Sequence, residues 1–183
     1  MSGELRLFVA AEPPQDVRDE LARWARGALG RGTQARCLDV DSLHLTLCFL
    51  GSQPPSAVDE VERALGATRE LAAAVGELRT GAPAWLPSRH PRVLAVEVTD
   101  PDCALGALQN ALSVELERAI GWRPPRQRFR PHVTVARMRP GVERARELAP
   151  TPAREFTPTA VTLFRSSLGP GGARYTPLAS IEL

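Results

Sequence analysis

Apolar residues recur along this chain with two different periods, and the switches between them mark out strands and helices. Arg6 to Glu12 (RLFVAAE) is a short apolar run of strand character, ended by Pro13-Pro14. Val17, Leu21, Trp24, Ala25 and Ala28 then return at three- and four-residue intervals, which predicts an amphipathic helix stopped by Gly30 and Gly32. Asp41 to Gly51 (DSLHLTLCFLG) reads as the next strand, closed by the turn-forming Ser52-Gln53-Pro54-Pro55. Ser56 is placed to cap a second helix carrying Val58, Val61, Ala64 and Leu65. The segment LAAAVGELRTGAPAWLP after it admits a helix tail followed by a strand, and Pro83, Pro87 and Pro91 make Ala82 to Pro91 a loop or an edge strand.

The second half runs similarly. Arg92 to Thr99 (RVLAVEVT) alternates as a strand does, and Asp100-Pro101 supplies a helix N-cap with proline at the first helical position. Leu105, Leu108, Leu112, Leu116 and Ile120 form the clearest helical stripe in the chain, with Gly121 as its stop. After an arginine-rich connection, Arg130 to Met138 (RPHVTVARM) reads as a strand. A short helix near Val142 to Ala149 is expected. AVTLFRS within Phe156 to Ser166 then forms a strand that turns at Gly169-Pro170-Gly171-Gly172 into a last one from Arg174 to Leu183.

This order repeats. Strand, helix, strand, helix, strand starts once at Arg6 and again at Arg92, with 38 positions from Arg6 to His44 and 40 from Arg92 to His132. The expected fold is therefore one α+β domain over 1–183 with two internal pseudo-repeats, about 6–90 and 92–183. A bilobal domain is expected, its two lobes related by a pseudo-twofold axis, each an antiparallel sheet flanked by helices, with the active cleft between them.

Composition narrows the functional classes. A chain of 183 residues suits one domain with a sizeable core. All 23 cationic side chains are arginine, so lysine nucleophiles and Schiff bases are excluded. A net charge of +2 does not by itself announce a nucleic-acid protein. Cys37, Cys48 and Cys103 are scattered and odd in number, which fits a reducing cytoplasm and neither a disulfide framework nor a zinc knuckle. No signal peptide or membrane-spanning stretch is legible, so a cytoplasmic protein without a membrane partner is expected.

The chemistry sits in a shared pattern: His44-Leu45-Thr46-Leu47 and His132-Val133-Thr134-Val135. Side chains two apart on a strand share a face, so each segment buries its aliphatics and offers an imidazole and a hydroxyl to the other side. Chance would place threonine two residues after two of the three histidines about one time in a hundred, before the matching aliphatics are counted. His90, between Arg89 and Pro91, has no such context and reads as a loop residue. A metal centre is not supported, because only two histidines qualify and no acidic pair stands beside them. No G-x-S-x-G elbow suggests a serine triad.

Two H-x-T-x motifs about 90 residues apart resemble those of the two-histidine (2H) phosphoesterases. Within them the chain is similar to the bacterial and archaeal RNA 2′,3′-cyclic phosphodiesterases, historically called 2′-5′ RNA ligases. The likeness extends over RLFVAAEPP, HLTLCFLG, PRVLAVEV, FRPHVTVAR and SSLGPGGARYTPLASIEL. It departs at Val133 and Val135, where Ile and Leu are commoner, and at Trp85, where Phe is expected. The resemblance implies hydrolysis of RNA 2′,3′-cyclic phosphate ends to 2′-phosphates, with His44 as proton donor and His132 as proton acceptor. Imidazoles titrate near neutrality, so two of them are sufficient in kind for this reaction without a metal or other cofactor.

Thr46 and Thr134 are placed to hydrogen-bond the phosphate oxygens. Arg123, Arg126, Arg128, Arg130 and Arg137 cluster around the second motif without an acid among them. Arg130 shares strand parity with His132 and Thr134 and is the preferred phosphate contact. Arg137 falls on the opposite face unless a bulge shifts it. Phe49 and Trp85 are large enough to stack a base, though core packing is the more ordinary use of both. The expected partner is an RNA with a 2′,3′-cyclic phosphate end, bound by a monomer with no obligate protein partner. Two rivals remain: 2′-5′ joining of RNA ends, which is the reverse reaction, and a module that binds such ends without turning them over.

Overall fold

A computed structural model describes residues 3–30, 35–138, 147–169 and 172–183. Its elements run β1 (Leu5–Glu12), α1 (Gln15–Leu29), β2 (Ala35–Cys37), a 3-10 turn (Val40–Ser42), β3 (Leu45–Gln53), α2 (Ala57–Gly66), α3 (Arg69–Ala73), β4 (Leu78–Leu86), β5 (Val93–Thr99), α4 (Ala104–Ile120), β6 (His132–Met138), β7 (Glu155–Phe156), β8 (Ala160–Gly169) and β9 (Gly172–Glu182). The class is α+β, as expected.

All the strands join one antiparallel sheet in the order β7-β4-β5-β6-β3-β1-β8-β9, with β2 added alongside β6. The two motif strands, β3 and β6, are thus neighbours in mid-sheet. They pair only at Leu45 and Val133. Where the sequence suggested two separate sheets, the structure has one that narrows to a single pair at its middle.

The helices cover one face. Val17, Leu21, Ala22, Ala25 and Leu29 of α1 are buried, as are Leu105, Leu108, Leu112 and Leu116 of α4. Helix α1 packs on β2 and β6, while α4 packs on β3. Helix α1 thus lies over the second motif strand and α4 over the first, and one continuous core runs beneath both. Burying such a leucine stripe stabilises by about 1.5–3 kcal/mol per side chain, which is why α4 is legible from spacing alone.

Helix ends differ from expectation in two places. Ser56 occupies the position before α2, but its hydroxyl makes no capping hydrogen bond. Helix α4 starts at Ala104 instead of Pro101: Pro101 and Asp102 form a turn, Cys103 takes φ 56°, and Asp100 Oδ2 accepts the Gly106 N–H at 2.9 Å. Asp100 still satisfies a helix N-terminus, but from further upstream than sequence spacing implies. Gly30 and Gly121 end α1 and α4, while Gly32 lies outside the described residues. Most of the helix expected at Val142 to Ala149 also lies outside them, and Glu147 to Ala149 are irregular.

Beyond Arg79, β4 pairs with β5 alone, so Ala82 to Leu86 is the expected edge strand and Pro87 to Pro91 is irregular. Among the described residues no helix is long and apolar enough to cross a membrane.

Candidate active site

Leu45 and Val133, the pair that joins the halves, are both fully buried under the helices. The side chains flanking them therefore emerge on the other face of the sheet. In this antiparallel crossing His44 and Thr134 flank the pair at one end, and Thr46 and His132 at the other. All four are half-buried. The register thus sets an imidazole of one strand and a hydroxyl of the other on the same side of the pair at each end.

The same local device holds both imidazoles. His44 Nδ1 lies 2.8 Å from the Ser42 carbonyl, and His132 Nδ1 lies 2.7 Å from the Arg130 carbonyl. A carbonyl oxygen only accepts, so Nδ1 carries the proton in both rings. The neutral form then has its lone pair on Nε2, which is left to take or give a proton.

Each motif strand carries a bulge directly after its threonine. Against β1, Ala10 pairs with Thr46 and Val9 with Cys48, so Leu47 and Cys48 together occupy one step. Against β5, Ala95 pairs with Thr134 and Leu94 with Ala136, so Val135 and Ala136 do the same. Both residues of each bulge are buried. The extra residue inverts the alternation beyond it. Phe49 and Arg137, each three residues past its threonine, are thereby turned to the face of the histidines.

His44 is packed among aromatic rings. Phe8 lies 4.8 Å from it at a tilt of 32°, and Tyr175 meets it in a T-shaped contact at 5.1 Å and 88°. Phe164 stacks on Phe8 behind them, at 5.2 Å. Burial lowers the His44 pKa from 6.5 to about 4; the Ser42 carbonyl opposes this, while the charges of Arg137 and His132 add to it.

A hollow of about 1760 Å³ opens beside the junction. Thr46, Phe49, Arg130, His132 and Arg137 border it, together with the Trp122 to Pro131 connection and the first half of α4. His44 and Thr134 do not line it. Arg137 reaches both this hollow and a smaller one of about 40 Å³ that touches Ser42 and Tyr175 on the His44 side.

The sequence profile described as the 2′-5′ RNA ligase superfamily matches residues 13–170. The chain belongs to that superfamily. Superfamily relatives cover it nearly end to end. It is 32% identical over 178 residues to the RNA 2′,3′-cyclic phosphodiesterase of Escherichia coli K12, covering 97% of this chain and 96% of that protein. Against the RNA 2′,3′-cyclic phosphodiesterase of Methanothermobacter thermautotrophicus identity is 26%, over 98% of this chain and all of the relative. The crystal structure of E. coli LigT complexed with 3′-AMP superposes with a TM-score of 0.74 at 30% identity, covering 98% of each chain.

Within this superfamily chain, the other sequence-predicted residues fall into place unevenly. Arg130 lies just before β6 and borders the hollow beside His132, on the side that its parity gave it. Its guanidinium pairs with Glu97, the residue opposite His132 on β5. Arg137, ranked lower, is the better placed of the two. Phe49 is 52% exposed, which rules out core packing; Arg6 sits over its ring, and its carbonyl accepts the Trp122 indole N–H at 3.1 Å. Trp85 packs partly against the core away from the hollow, and His90 is exposed. Cys48 is buried with its thiol pushed up to about 11, mainly by burial, so it is an inert wall residue. Among the described residues no three or more His, Cys, Asp or Glu side chains converge as metal ligands would.

Sequence reasoning missed Phe8, Phe164 and Tyr175, the rings around His44. Their meeting depends on cross-strand register: Phe8 lies opposite Phe164, and Ser166 opposite Tyr175. The one available signal was that Tyr175 is the chain's single tyrosine.

Proposed function

We propose that the chain hydrolyses RNA 2′,3′-cyclic phosphate termini to 2′-phosphates, using its two histidines and no metal. The names of its curated relatives support the substrate class. The observation that carries the mechanism is the duplicated Nδ1 contact, which leaves two Nε2 atoms from different halves as matched proton carriers. His132 takes a proton from water as its oxygen bonds to phosphorus. The P–O3′ bond breaks, and His44 delivers its proton to the departing 3′ oxygen, leaving the phosphate on the 2′ oxygen. Thr46 and Thr134 donate to the non-bridging oxygens, Arg137 offsets the phosphate charge, and Phe49 offers a face to a base. Arg130 joins them only by leaving Glu97.

With a pKa of about 4, the empty site holds His44 neutral at pH 7, with roughly one ring in a thousand protonated. An anionic phosphodiester beside the ring favours its charged form, against the burial that is the main cause of the lowered pKa. Proton uptake is therefore coupled to substrate binding. The reverse reaction, 2′-5′ end joining, uses the same groups, and water at about 55 M favours hydrolysis in an open site.

We read the fold as one domain whose halves are related by a pseudo-twofold axis at the β3–β6 junction. The similar neighbours of the two motif strands and their matching bulges support this reading. The test is a short RNA ending in 2′,3′-cyclic phosphate, incubated with EDTA. A 2′-phosphate product is expected, and His132→Ala should lower kcat/KM by about 10²–10⁴. A requirement for divalent ions, or His132→Ala at the wild-type rate, would end the proposal.

A further inference from the structure

We propose that Arg36 and Arg137 together seat a second phosphate of the RNA, the internucleotide phosphodiester on the 5′ side of the terminal cyclic phosphate. The inference rests on the function just proposed and adds a subsite to it.

Strand β2 is only three residues long, and its central pair sets Arg36 directly opposite Arg137 on β6. Like charges directly opposite one another on a sheet are destabilising unless something of the other sign lies between them. Among the described residues neither guanidinium forms an ion pair. Both border the small hollow, whose remaining lining includes Asp39, Ser42, Gly172 and Tyr175. Its 40 Å³ suits a few waters or one compact oxyanion and is too small for a base.

Gly172 makes the room. A Cβ there would fall 2.6 Å from Arg36 Nη1, and the residue has φ 106°, where other side chains are strained. The β8–β9 hairpin therefore returns as glycine at the point where the Arg36 guanidinium lies. Asp39, exposed like Arg36, is the one carboxylate in the lining and forms no ion pair with either arginine, so the lining carries two positive charges against one negative.

The hollow also stands in a useful place. Arg137 borders it on one side and the reaction hollow on the other. Ser42 and Tyr175 connect it to His44. A phosphate held here is one guanidinium away from the phosphate that reacts, as successive phosphates of one strand require. Arginine suits the role, because its planar fork grips phosphate oxygens two at a time.

The test uses two dinucleotides ending in 2′,3′-cyclic phosphate, one with a normal phosphodiester linkage and one with a neutral methylphosphonate. Neutralising the linkage should lower kcat/KM of the wild-type protein by about tenfold or more. In Arg36→Gln the same change should matter less than about twofold, and Arg36→Lys should restore part of the discrimination. Equal losses in wild type and Arg36→Gln, or no loss in wild type, overturn the subsite. If no cyclic phosphate is turned over at all, the functional reading fails instead. Calorimetric binding of the corresponding dinucleotide 3′-phosphates, charged against neutral linkage, then decides the subsite by the same comparison.

Discussion

His44 gives folding stability a pH dependence with a definite sign. Its folded pKa is about 4 against an ordinary 6.5, with burial the largest cause. Between those values the unfolded chain binds a proton at His44 that the folded chain refuses, so stability falls as pH falls through that window. Working from the two pKa values, the penalty is negligible at pH 7, about 2 kcal/mol at pH 5 and about 3 kcal/mol at pH 4. His44→Gln removes the titration and keeps an N–H donor within reach of Ser42. Urea unfolding of both proteins at pH 7 and pH 5, extrapolated linearly, isolates the effect, because every other titrating group is shared. The wild-type protein should lose about 2 kcal/mol more than the variant between the two pH values. Parallel losses, or an NMR titration of His44 close to 6.5, would refute the reasoning, since either means that water reaches the ring.

The acid and base assignments separate on a substrate whose departing 3′ atom is sulfur. Sulfur leaves without a proton, so His44→Ala should recover most of its lost rate on it while His132→Ala should not; recovery by His132→Ala alone would exchange the two roles. Tyr175→Ala should admit water at the edge of His44, raising its pKa toward 6.5 and shrinking the pH-dependent stability loss, whereas Tyr175→Phe should leave both unchanged. An unmoved His44 titration in Tyr175→Ala would show that Phe8 and Phe164 exclude water unaided.

Much of the fold was legible because burial repeats where spacing says it should. The α4 leucines lie under the sheet as their three- and four-residue intervals require, and β1 and β8 coincide with their apolar runs. Elements whose identity depends on a distant partner were not legible. Strands β2 and β7 are three and two residues long, too short to show a period, and exist because β6 and β4 offer them an edge. The single-pair seam between β3 and β6 was hidden for the same reason. A repeat predicts that two motif strands are equivalent, but it does not say whether they close one sheet or two.

At the site, the histidines and threonines were readable because alternation holds from His44 to Thr46 and from His132 to Thr134. Beyond each threonine it fails, and that failure decides which further side chains reach the site. Strict parity sends Phe49 and Arg137 away from the histidines and favours Arg130. The bulges at Leu47-Cys48 and Val135-Ala136 bring Phe49 and Arg137 back, because two buried residues share one step of the ladder. A bulge of this kind leaves little trace in sequence: two adjacent residues must both be compatible with burial, as Leu-Cys and Val-Ala are, and such dipeptides are common. The matching position of the two bulges is what gives them meaning. A single one would be a local irregularity of the sheet, but the same irregularity one residue past both threonines aims an aromatic face from one half and a guanidinium from the other at the same cleft. Those are the groups to which the function proposed above gives the base and the phosphate of a nucleotide.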